Sequence, residues 1–149
     1  MAVQGTAKMT EQFDSQKTRA SAWFRDLRDQ IVAAFEALEQ SHNTGPFADA
    51  APATFDVSET KRTSEDGSDA GGGLMSVMRG GRVFEKVGVN VSAVYGQLGE
   101  RAQRAMAARG VPGMESDPRF WASGISLVAH MQNPHVPAVH MNTRMFWTP

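Results

Sequence analysis

The chain has 149 residues, with 15 basic and 16 acidic side chains and a formal net charge of −1. One domain is the natural expectation at this length, able to bury about 70% of its extended surface. The near-neutral balance argues against a general nucleic-acid binder, and zero cysteines exclude disulfides, thiolate metal sites, iron–sulfur clusters and a cysteine nucleophile.

No apolar run approaches the roughly 18–20 residues that a membrane span needs. Met1–Ala20 lacks the apolar stretch of a secretory signal, so a cytoplasmic location with no membrane span is expected. Met1–Lys17 shows no period and reads as a flexible N-terminal tail. From Thr18 to Gln40 the pattern changes. Trp23, Phe24, Leu27, Ile31, Phe35 and Leu38 recur at three- and four-residue steps, with Arg25, Asp26, Arg28, Asp29, Glu36 and Glu39 largely between them. This spacing predicts an amphipathic helix with its apolar stripe in the core. Ser21 is the candidate cap.

Ser41–Ala70 is rich in Ser, Thr, Asp, Gly and Pro. An edge strand is expected near Phe55, followed by an acidic loop through Ser64–Asp69. Gly71-Gly72-Gly73 lacks the ending of a P-loop and the spacing of a dinucleotide fingerprint, so it reads as a hinge or as backbone packed close to a ligand. Gly80-Gly81 makes a turn, and Arg82–Tyr95 reads as a strand with Gly88 as a candidate bulge. Leu98–Arg109 has helical spacing and is stopped by Gly110 and Pro112.

Phe120–Met131 and Pro137–Trp147 are two strand-like runs around an Asn-Pro turn, which predicts a β-hairpin. Side chains alternate along a strand. Ser126, Val128 and His130 therefore share one face of the first run, and His140, Asn142, Arg144 and Phe146 one face of the second. A hairpin centred near His135 pairs His130 with His140, Val128 with Asn142, and Ser126 with Arg144. That face gathers two imidazoles, an amide, a hydroxyl and a guanidinium. Arg144 can hold a carboxylate through a bidentate fork, Ser126 and Asn142 can add neutral hydrogen bonds, and a histidine can move protons near neutral pH. The set suits an anionic organic acid whose protonation matters. The plain alternative is the solvent-exposed side of an antiparallel sheet. A small metal enzyme built on His130 and His140 is disfavoured, because zinc usually takes at least three protein ligands.

The same segments carry a family resemblance. Gly124–His130, Asn133–Pro137, His140–Arg144, Gly71–Gly73 with Ser76-Val77-Met78, and Val83–Ser92 resemble oxygen-dependent coproporphyrinogen III oxidase, as does the Phe24–Gln30 run. The resemblance runs from about Ala20 to Phe146 and implies that residues 18–149 are the N-terminal portion of that family's domain. It implies an α+β fold, an antiparallel sheet flanked by helices, in a homodimer. It implies the oxidative decarboxylation of coproporphyrinogen III propionates to vinyl groups, giving protoporphyrinogen IX in haem synthesis. Molecular oxygen is the oxidant and no organic cofactor is used; a divalent metal is recorded for some members. By position, His140 matches the family's proton donor. Ser126, Asn142, Thr143 and Arg144 match substrate-binding positions, and His130 and His140 match two metal-ligand histidines. Alternation sends Thr143 to the opposite face, where a backbone contact would account for it. Family members are much longer, and the alternative reading is a catalytically inactive chain that binds porphyrin or a full-length partner.

Overall fold

Valines at 87, 89 and 91 set a period of two, and in the computed structural model they lie on the central strand of a single antiparallel sheet. The structure describes residues 3–149, with side chains described from Phe13 onward. Helix α1 (Val3–Ser41) comes first, followed by β1 (Asp56–Thr63), β2 (Asp69–Arg79) and β3 (Phe84–Gln97). Helix α2 (Glu100–Ala108), β4 (Arg119–Met131) and β5 (Val139–Trp147) complete the chain. The strand order is β1-β2-β3-β4-β5, every neighbour antiparallel, so the α+β expectation holds.

Helix α1 begins at Val3 rather than Thr18, which places Ser21 in mid-helix and removes its capping role. Its inward-facing seam follows the buried Phe24, Arg28 and Glu39 and the partly buried Ile31 and Phe35, a run of three- and four-residue steps. The seam packs on Met78, Val87, Val89, Val91, Ile125, Leu127 and Ala129, which point to one side of the sheet. Phe35 stacks on Phe84 with ring centroids 4.8 Å apart. Trp23 and Leu38 lie on the flank of the helix, and Trp23 is 55% exposed, so neither joins the core stripe as expected.

Two charged residues expected in water fill the seam instead. The buried Arg28 donates from Nε and Nη2 to the Ser76 hydroxyl at 3.0 and 2.8 Å. The Glu39 carboxylate is fully buried and accepts four backbone N–H groups. Oε2 takes those of Ala53 and Arg82, and Oε1 those of Val83 and Phe84. Burial alone would push this carboxyl up, but the four N–H dipoles outweigh it and hold the pKa below the ordinary glutamate value. Glu39 thus ties the end of α1 to the turn between β2 and β3.

The glycine triplet is not a hinge. It lies inside β2, paired with β1 and β3, and the neighbouring backbones approach so closely that a Cβ at Gly72 or Gly73 would strike the carbonyl oxygen of Thr60 or Val91. The irregularity in β3 falls between Phe84 and Lys86 rather than at Gly88.

Candidate functional site

Helix α1 covers one side of the sheet, and the other side carries the candidate residues. The turn after β4 is closed by the Val136 N–H donating to the Asn133 carbonyl at 3.1 Å, with Pro134 at its second position. This centres the hairpin on Pro134, one residue before the expected centre, and every partner moves by two. Asn142 faces Ser126, His140 faces Val128, and Arg144 faces Gly124. The expected His130–His140 and Ser126–Arg144 pairs therefore do not form. A shift of two leaves each side chain on its expected face, since the strand period is two.

The pairing extends into rows across the sheet. Ser58, Met75, Asn90, Ser126 and Asn142 form one row. Thr60, Gly73, Ser92, Gly124 and Arg144 form the next. Between them lies a shallow groove of about 210 Å³, lined by Asn90, Ser92, Ser126, Asn142, Thr143 and Arg144 among others. The four residues expected at substrate-binding positions thus all line it; Thr143 does so from the row of the core residue Ile125, the opposite face, as alternation predicts. Arg144 is exposed and has no ion-pair partner among the described residues. Its guanidinium remains available to an external carboxylate.

Asn90 was not among the expected site residues. Its Oδ1 accepts the Ser76 N–H at 3.3 Å, which leaves the amide Nδ2 as a donor toward the groove. Only long-range strand pairing brings it beside Ser126, so nothing local in the sequence marked it.

His140 lies one row from the groove, opposite Val128, and His130 one row further, opposite Lys86. Both are exposed. Among the described residues no three or more His, Cys, Asp or Glu side chains gather to hold a metal ion. Two imidazoles on separate rows do not make a closed metal site, so the donor set does not fit a tightly held ion.

A larger cavity of about 950 Å³ lies toward the other end of the sheet, lined by Lys17, Asp69, Tyr95, Arg119 and Trp147 among others, and none of the expected site residues lines it. The Lys17 ammonium sits 3.7 Å from the centroid of the Trp147 ring.

Among the described residues no helix is long and apolar enough to cross a membrane. A sequence profile of the family described as coproporphyrinogen III oxidase matches residues 19–149. An oxygen-dependent coproporphyrinogen-III oxidase of Rickettsia bellii is 44% identical over 128 residues, covering 86% of this chain and 41% of its own. The protein of the same name from Rickettsia felis is 43% identical over 132 residues, covering 89% of this chain and 43% of its own. The chain spans about two fifths of the length of the curated relatives it matches.

Proposed function

Because the chain belongs to the coproporphyrinogen III oxidase family, we propose that its open sheet face receives coproporphyrinogen III for oxygen-dependent decarboxylation of propionates to vinyl groups, yielding protoporphyrinogen IX in haem synthesis. The observation that carries this reading is Arg144, a cation with no ion-pair partner among the described residues, set in one groove with Ser126, Asn142 and Thr143.

Each residue has a task in the chemistry. Arg144 holds the propionate carboxylate by a charge-assisted fork. Ser126 and Asn142 fix its direction with neutral hydrogen bonds. The carboxylate leaves as carbon dioxide when its carbon–carbon bond breaks, and the methylene attached to the pyrrole ring gives up one hydrogen as the double bond forms. Oxygen takes two electrons and two protons and leaves as hydrogen peroxide. One proton comes from the substrate carbon; His140, on the adjoining row, donates the other. No step is assigned to a metal or an organic cofactor. A homodimer in the cytoplasm belongs to the same reading.

A second reading has its own support. The groove is smaller than the ~300–1,000 Å³ usual for ligand pockets, which favours a chain that binds a porphyrin or a full-length partner without turning it over. The deciding experiment is aerobic incubation of the purified chain with coproporphyrinogen III, read by vinyl-product fluorescence, beside Arg144→Ala. Oxygen-dependent product formation that is lost in the variant is the expected result. A folded chain that binds the porphyrin and forms no product gives the second reading its place.

A further inference from the structure

Beyond the groove, the same face ends in a row of basic side chains. Arg79 pairs with Lys86, and Lys86 pairs with His130, so the three stand side by side on β2, β3 and β4. Arg79 and Lys86 are exposed and have no ion-pair partner among the described residues. Like charges set opposite each other across a sheet repel, so the pair costs stability unless an anion answers it. Between this row and the Arg144 row the face is short of acid. Within these rows the one carboxylate is Asp56, out on the edge strand β1.

The separation is set by strand geometry. Lys86 and Ser92 are six residues apart on β3, and Ser92 lies in the Arg144 row. At a rise of about 3.4 Å per residue the two rows are about 20 Å apart. Long Arg and Lys side chains leaning inward leave a gap the size of a macrocycle. The floor of that gap is low and apolar in the row next to Lys86, whose outer ends are Asp56 and His140, and polar in the following row of Asn90 and Ser126. Val77, Gly88 and Val128 lie in one row, and a Cβ at Gly88 would meet nothing closer than the Asn90 Nδ2 at 3.7 Å. The glycine is therefore not demanded by a neighbouring backbone; it leaves a flat place.

We infer that Arg79 and Lys86 form a second carboxylate anchor, so that a tetrapyrrole with acids on opposite edges lies across the Gly88 floor, held there at one edge and by Arg144 at the other. This rests on the porphyrinogen reading above and adds a demand for spaced acids. A single anchor would hold any acid; two anchors at fixed distance select molecules whose acids lie on opposite edges.

The test is fluorescence titration of the 149-residue chain with two stable probes. Coproporphyrin III carries a propionate on every ring, whereas mesoporphyrin IX carries two on one edge. Arg144→Ala and the double variant Arg79→Ala/Lys86→Ala are each expected to weaken coproporphyrin binding about tenfold, the scale of one charge-assisted anchor. Mesoporphyrin should change less than about twofold in either variant, because its single acidic edge can use whichever anchor remains. All these substitutions are at exposed positions, and circular dichroism should confirm an unchanged fold. Loss in Arg144→Ala with none in the double variant overturns the second anchor and leaves the porphyrinogen reading standing. Equal losses for both probes overturn it too, because they indicate bulk charge attraction. A wild-type chain that binds neither probe overturns the porphyrinogen reading and the inference together.

Discussion

The carboxylate of Glu39, on helix α1, accepts the backbone N–H of Arg82 at 2.6 Å across 43 residues of sequence. Three further N–H groups, those of Ala53, Val83 and Phe84, converge on the same two oxygens. One side chain therefore closes a loop, a turn and a helix end at once. Glu39→Gln keeps the shape but removes the charge and turns an N–H₂ toward N–H donors. It should cost about 3 kcal/mol, the range for a buried, charge-assisted network broken on one side. Urea unfolding monitored by circular dichroism measures this, and a loss below about 0.5 kcal/mol, the usual size of a surface substitution, would contradict it.

The same carboxylate sets an acid limit. Its folded pKa lies below the ordinary value of 4.5, so the folded state binds fewer protons than the unfolded state. The stabilisation is complete above the unfolded value and is lost as pH falls through the folded one. Melting temperature followed downward from pH 5 should drop more steeply in the wild type than in Glu39→Gln. Parallel curves would show that other groups govern acid unfolding.

Two glycines on the sheet should answer differently to substitution. A Cβ at Gly73 would lie 2.8 Å from the Ser92 Cα and would also press on the Val91 carbonyl. Gly73→Ala should therefore force the strands apart at a cost of about 2 kcal/mol or more. Gly88→Val meets no backbone and adds a residue suited to a strand. It should leave the melting temperature unchanged or raised, yet weaken coproporphyrin binding by filling the floor. A Gly88→Val chain that binds as well as the wild type would place the ligand elsewhere.

His140 and Arg144 should separate binding from turnover. His140→Ala is expected to lower kcat by about 100-fold, the lower end of general-acid contributions, with little change in KM. Arg144→Ala should raise KM and lower kcat/KM. Steady-state kinetics under air measures both, and a His140→Ala chain with wild-type kcat would remove the proton-donor role.

Much of this arrangement was legible from local pattern. Alternation in 120–147 gave the hairpin and the faces of Ser126, His130, His140, Asn142 and Arg144. The register was not legible, because it depends on where the turn closes; placing Pro134 rather than His135 at its centre moves every partner by two. Helix α1 was visible by its apolar steps, but its phase was not, since Trp23 and Leu38 match the pattern as well as Phe24 and Ile31 do. Arg28 and Glu39 read as water-facing because charge dominates any local judgement. Ser76, the partner of Arg28, and the Arg82–Phe84 turn, which supplies three of the four partners of Glu39, lie 43 or more residues away. Asn90 was hidden for the same reason.

The one-sided cover provided by α1 divides each strand into two sets of alternating positions. Val87, Val89, Val91, Ile125 and Leu127 answer to the melting temperature, whereas Asn90, Ser126, Asn142 and Arg144 face outward and contribute little to it. On the function proposed above, a substitution in the second set changes which molecule is held while leaving the fold intact. Sequence drift can therefore retune ligand preference on this sheet in single steps, without a compensating change in the core.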